Sequence, residues 1–270
     1  MKFFVLIFLF VQTTNAAFER TNQGSRAVAM GGSLVAATNN PWSAFTNPAT
    51  LKSLEERTLS LLYAPQLFEL RELSFSAVAF VEPTSFGTFG VSASRFGFEL
   101  YKETRLGLSY SDAVADFFSL GVTVNYFGLA IKNYGSAGTI GVDLGGVLDV
   151  SDQVRWGFAA FNVTGARIGA AKEKLPQVFS TGLTYTPIPE ATIAASIMKD
   201  VRYDAELRIG IEYMLMDLVA LRAGSTNDPN TVNAGVGIHY AFAELDYAFS
   251  SHSELGISHQ FSLSLTLGTF

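Results

Sequence analysis

The sequence contains no cysteine, so neither a disulfide framework nor a thiolate metal site supports its fold. Charge is scarce. Asp, Glu, Lys and Arg make up 16% of the 270 residues, against roughly a quarter in an ordinary soluble domain. The net charge is −6, which excludes a basic nucleic-acid-binding surface. Beyond the first residues, no apolar run approaches the roughly 18 residues of a transmembrane helix. No phosphate-binding glycine loop, pair of catalytic carboxylates or metal-ligand cluster is present, so no cofactor and no metal are called for.

What the chain has in quantity is apolar and aromatic side chains: 49% apolar residues, with 23 Phe, 10 Tyr and 24 Gly. Lys2 provides a short positive region, residues 3–11 are unbroken apolar, and Thr14-Asn15-Ala16 offers small residues for cleavage. Residues 1–16 therefore read as a secretory signal peptide cut after Ala16, with an apolar run too short to span a bilayer.

From about residue 57 the chain alternates, as strands do when successive side chains point to opposite faces. Phe118, Leu120, Val122, Val124 and Tyr126 share one face, and Ser119, Gly121, Thr123 and Asn125 share the other. Leu207, Ile209, Ile211 and Tyr213 likewise oppose Glu206, Arg208, Gly210 and Glu212. About fourteen such segments are predicted, near 57–64, 70–82, 85–96, 102–112, 118–131, 139–149, 154–164, 177–186, 191–199, 203–213, 218–225, 231–241, 243–250 and 258–267; twelve is the alternative count. Every second connection is short, and residues 165–176 form the longest. Such asymmetry separates the two ends of an outer-membrane barrel.

A soluble sandwich also alternates, but three features favour the barrel. Apolar faces end in Tyr63, Tyr110, Tyr126, Tyr185, Tyr213 and Tyr240, as an interfacial girdle would. The opposite faces are small, hydroxylated or charged, and the last strand closes at Phe270. The predicted fold is all-β: a fourteen-stranded antiparallel transmembrane barrel over residues 56–270, surrounded by outer-membrane lipid of a Gram-negative-type cell, with an N-terminal plug over 17–55.

The plug is predicted from residues 24–51, GSRAVAMGGSLVAATNNPWSAFTNPATL, which are rich in small residues and carry one charge, Arg26. This stretch resembles the N-terminal segment of the PorV/PorQ group and of the related FadL-type long-chain fatty-acid transporters. The shared signatures are Ala29-Met30-Gly31-Gly32 and Asn47-Pro48-Ala49. The C-terminal third, including RIGIEYMLMDLVALRAG, resembles the PorV/PorQ group. The resemblance implies a fourteen-stranded barrel closed by an internal plug. On the PorV/PorQ side it implies surface protein secretion of the type IX kind, with secretion-system proteins or secreted cargo as partners. The C-terminal likeness places that secretion role first; the alternative, on the FadL side, is transport of small hydrophobic ligands such as long-chain fatty acids.

Two candidate sites follow. Arg26, Glu206, Arg208, Glu212, Arg222 and Asp246 form a candidate polar network in the lumen, with Arg26 paired to a carboxylate such as Glu212 or Asp246. Met30, Trp42, Phe80, Phe161 and Met198 form a candidate hydrophobic pocket, the last three being large apolar residues on predicted lumen faces. The plug would serve as a gate or as a stopper. The only histidines, His239, His252 and His259, make a weak case for Ser–His chemistry among so many serines, and the protein is expected to be non-enzymatic.

Overall fold

Fourteen strands pair edge to edge into a closed antiparallel barrel. The computed structural model describes residues 17–19 and 24–268; the expected signal peptide and Phe270 lie outside the described residues. The first strands are β1 (Thr58–Ala64), β2 (Phe75–Thr84), β3 (Gly87–Gly97), β4 (Tyr101–Ala115), β5 (Phe118–Ile131), β6 (Gly135–Ser151) and β7 (Val154–Phe161). A short hairpin follows, β8 (Arg167–Ile168) and β9 (Glu173–Lys174). The barrel resumes with β10 (Val178–Ile188), β11 (Ala191–Asp200), β12 (Ala205–Leu215), β13 (Val219–Asn227), β14 (Asn230–Tyr240), β15 (Ala243–His252) and β16 (Gly256–Thr266). Closure comes from β1 against β16, with Thr58 opposite Thr266 and Tyr63 opposite Phe261. A closed sheet leaves no unpaired edge, the requirement for backbone in lipid.

The alternation holds along the wall. Leu61, Leu108, Val124, Leu183, Ile211 and Leu245 point outward and are exposed, while Ser60, Ser109, Thr123, Thr184 and Asp246 point inward and are buried. The outward band is far larger than the apolar patches of soluble monomers, and hydrocarbon is the medium that suits it. All six expected girdle tyrosines are exposed on this outer surface. Turns between β2 and β3, β4 and β5, β6 and β7, and β10 and β11 are tight; we call this the short-turn end. The other end carries the longer connections 65–74 and 162–177.

The N-terminal stretch runs through the interior. It comprises helix α1 (Ser25–Ala29), a helical turn at Leu34–Ala36, α2 (Ser43–Thr46) and a turn at Pro48–Ser53. Helix α1 touches β13 to β16, Leu34–Ala36 touches β7, β10 and β11, and Pro48–Ser53 touches β3 to β6. Contacts on every side of a closed barrel place the segment inside it. Glycines of the wall let backbone approach backbone: a Cβ on Gly121 of β5 would overlap the Pro48–Ala49 peptide, and one on Gly224 of β13 would overlap Met30 and Gly31.

One predicted face is corrected. Phe80 points outward, opposite Leu59 and Val91, because Phe75, Ala77, Ala79 and Val81 are the inward residues of β2. The inner face of β2 is wholly apolar while Ser76 and Glu82 fall on the outer one, so polarity pointed to the wrong parity. The inner one packs on Trp42, Phe45 and Leu51 rather than on water.

Candidate functional site

The inner segment is tied to the wall by charge. Arg26 donates from Nε and Nη2 to the two carboxylate oxygens of Glu212, at 2.9 and 2.6 Å. Glu212 also accepts from Arg222 Nε at 2.5 Å. Arg222, whose side chain is 1% exposed, continues to Asp246 and, at 3.3 Å, to Glu244. His239 lies 3.1 Å from Glu244. Four of the six expected network residues are thus brought together: Arg26, Glu212, Arg222 and Asp246. Glu206 and Arg208 form a separate pair at 2.8 Å. Between the groups stands Gly210, on which Met30 and Ser33 of the inner segment rest. His239, Glu244 and Asp246 approach within 4.8 Å as metal ligands would, but Arg222 already occupies both carboxylates.

A second polar group lies on the inner wall at β4 to β6. Arg105 donates to Asn125 at 2.8 Å and to Asp143 at 2.6 Å. Its guanidinium lies 5.4 Å from the Phe45 ring centre and 5.6 Å from that of Phe127. On its other carboxylate oxygen, Asp143 accepts from the Asn162 backbone at 2.7 Å. Arg155 reaches Thr38 of the inner segment at 3.3 Å.

The Asn-Pro-Ala motif is an anchor. Asn47 is fully buried. Its amide donates to the Val35 carbonyl at 2.6 Å and to Gly146 of β6 at 3.1 Å, and its carbonyl oxygen accepts from Ala49 N–H at 3.1 Å. Pro48, which lacks an N–H, opens the following turn at no cost in hydrogen bonds. Ser111 of β4 donates to the Ala49 carbonyl at 2.8 Å. The Ala29-Met30-Gly31-Gly32 signature works differently: Gly31 (φ +62°) and Gly32 (φ +73°) turn the chain left-handed beside β12 and β13.

The expected pocket residues do not form one site. Phe161 and Met198 meet, together with Val35, Ala159 and Val178. Met30 packs with Ala27, Leu34, Ala37 and Ala194. Trp42 packs with Phe45, Leu62 and Phe75. Phe80 faces outward, as above.

A cavity of about 860 Å³ lies instead at the long-loop end, with Met198 the one expected pocket residue on its wall. Val28 of α1, Val178 and Met198 line it, with Leu67, Phe68 and Leu255 from the loops above. Its volume lies in the range of small-molecule sites. Charged residues share the wall, among them Arg202 and Arg208. Arg202 lies on Asp200 at 3.0 and 2.7 Å, and that hydrogen bonding raises its pKa above the ordinary value. The negative field of Glu19 raises the Tyr203 phenol likewise. Histidine chemistry gains nothing here: His252 Nδ1 accepts from the Glu254 and Leu255 backbone, and His259 bonds to Tyr247.

Beside the cavity, the mouth is covered. The 162–177 loop folds inward, and Ala166, Ile168 and Leu175 are buried against Phe127. Asn162 (φ +51°) holds this loop: its amide donates to the Leu175 and Pro176 carbonyls at 3.2 Å, and its Oδ1 accepts from Ala166 N–H at 2.8 Å.

No family model and no curated protein matches the sequence. Solved structures do match in three dimensions. The Pseudomonas putida toluene transporter TodX superposes with a TM-score of 0.71 at 13% identity, over 92% of this chain and 99% of that one. The CymD monoaromatic hydrocarbon channel gives 0.68 at 13% identity, over 91% and 98%. A Pseudomonas aeruginosa FadL homologue gives 0.64 at 16%, over 92% and 99%. The chain has the fold of the FadL-type barrels.

Proposed function

We propose that the protein is a non-enzymatic outer-membrane barrel that passes small hydrophobic compounds, with residues 17–55 as its plug. The observation that carries this reading is the cavity at the long-loop end. Its floor, Val28, belongs to the plug, and its wall includes apolar Val178 and Met198. A molecule resting there touches the segment that must shift for anything to pass. The similar solved structures carry the names of hydrocarbon channels and toluene transporters, which supports the same reading.

Transport therefore takes precedence over surface protein secretion, which the C-terminal likeness to PorV/PorQ had placed first. Uptake of radiolabelled toluene by Gram-negative cells producing the protein tests the proposal. Uptake several-fold above that of cells without the protein, lost in Met198→Glu, is the expected result. Equal uptake in all three would contradict it.

A further inference from the structure

We propose that the cavity at the long-loop end admits uncharged hydrophobic molecules and turns away carboxylates, fatty-acid anions included. The inference rests on the transport reading and narrows its substrate class.

The apolar part of the wall would hold either kind of molecule. Val28, Val178 and Met198 lie below, and Phe68 and Leu255 lie above. The two differ in what their head groups would find. A carboxylate that leaves water needs a cation or several donors in return. Three cations line the cavity, Lys199, Arg202 and Arg208, and each is engaged. Arg202 forks onto Asp200. Arg208 donates to Glu206 at 2.8 Å, and Lys199 Nζ donates to the Tyr203 carbonyl. Asp200 and Glu206 already offset the charges of Arg202 and Arg208, so an incoming anion would have to share either cation with a carboxylate fixed beside it.

Acid remains in excess at the rim. Asp204 and Asp228 line the same cavity, are exposed, and enter no ion pair among the described residues. Glu19 stands 4.0 Å from Arg202, which Asp200 already holds, and accepts from the Tyr203 hydroxyl at 3.3 Å. An anion approaching from the long-loop end meets these carboxylates before it reaches the apolar floor. Between low-dielectric walls their field reaches further than it would in open water. A neutral molecule meets no such barrier.

The test compares two probes with the same alkyl body, 1-decanol and decanoate, at about pH 7.5, where the acid is ionised. The full-length protein is placed in nanodiscs, and binding is measured by equilibrium dialysis against empty discs. The expected result is saturable decanol binding, with decanoate bound about tenfold more weakly or worse. The Asp204→Asn/Asp228→Asn variant should narrow that gap several-fold by strengthening decanoate. Because both residues are exposed rim positions, the variant should fold normally. Decanoate binding as tight as decanol, or a gap unmoved in the double variant, would overturn the charge selection while leaving the transport reading intact. Binding of neither probe would overturn both.

Discussion

Arg26 and Glu212 meet in a two-pronged ion pair, at 2.9 and 2.6 Å, although they lie 186 residues apart. The pair joins the inner N-terminal segment, the proposed plug, to the barrel wall, and the wall side is braced by Arg222. Arg222 also answers Asp246 and Glu244, so its one guanidinium serves three carboxylates. The plug supplies the second cation of this cluster. If the plug left, the acids would outnumber the arginines by a wider margin.

Arg26→Ala should therefore loosen the plug without unfolding the barrel. Breaking one side of a buried ion pair costs roughly 3 kcal/mol. Hydrogen exchange should rise across 24–55 and stay unchanged in β2 to β6, while the barrel keeps its resistance to unfolding in cold detergent. Full protection of 24–55 in the variant would mean that packing alone holds the plug.

Asn47→Ala should loosen the same segment from its other end. It leaves two buried carbonyls, Val35 and Gly146, without the donor they now share. Each such loss costs about 1–3 kcal/mol. The expected sign is a lower melting temperature together with faster exchange at 43–51; Asn47→Asp, which keeps only the acceptor role, should behave the same way.

Gly224→Val tests the close approach of wall and plug. The added side chain would need the space of the Met30–Gly31 backbone. A strand in lipid tolerates valine well, so the barrel should assemble. The plug should not seat, and protease should cut within 24–51 in the intact barrel. An uncut plug would contradict this seating.

Asn162→Ala should free the inward loop. Three of the hydrogen bonds that fold 162–177 back on itself end on this side chain. Exchange should quicken at 163–176, and Phe127 should become accessible to small quenchers. Slow exchange there would show that burial of Ile168 and Leu175 is enough.

The strands were legible because lipid and lumen impose opposite chemistries on alternate residues, as in Leu207 to Tyr213 against Glu206 to Glu212. Where the plug is apolar, as against β2, that contrast reverses. The inner face of β2 reads Phe75, Ala77, Ala79 and Val81, less polar than an outer face that carries Ser76 and Glu82, and Phe80 was assigned to the wrong side. Charge narrowed the partner of Arg26 to a carboxylate such as Glu212 or Asp246, since Arg26 is the single ionic group in a small-residue stretch; choosing Glu212 took the structure. Its extension to His239 and Glu244, and the separate Arg105–Asp143 group, depend on register between distant strands. The hydrophobic pocket failed for the same reason. Met30, Trp42 and Phe161 all face inward, but different neighbours divide them among three clusters. A usable signal lay in the inward glycines. Gly121, Gly157, Gly210 and Gly224 mark where the plug backbone touches the wall, and on a lumen face open to water they would have no such purpose.

The central claim is that the cavity over the plug holds a small hydrophobic molecule. Native mass spectrometry of the protein, released gently from its own membrane, tests this most directly. The account predicts an adduct with the mass of a small hydrophobic compound, lost in Met198→Glu. A clean unliganded mass, or co-purification of a large secreted polypeptide with no small adduct, would contradict it.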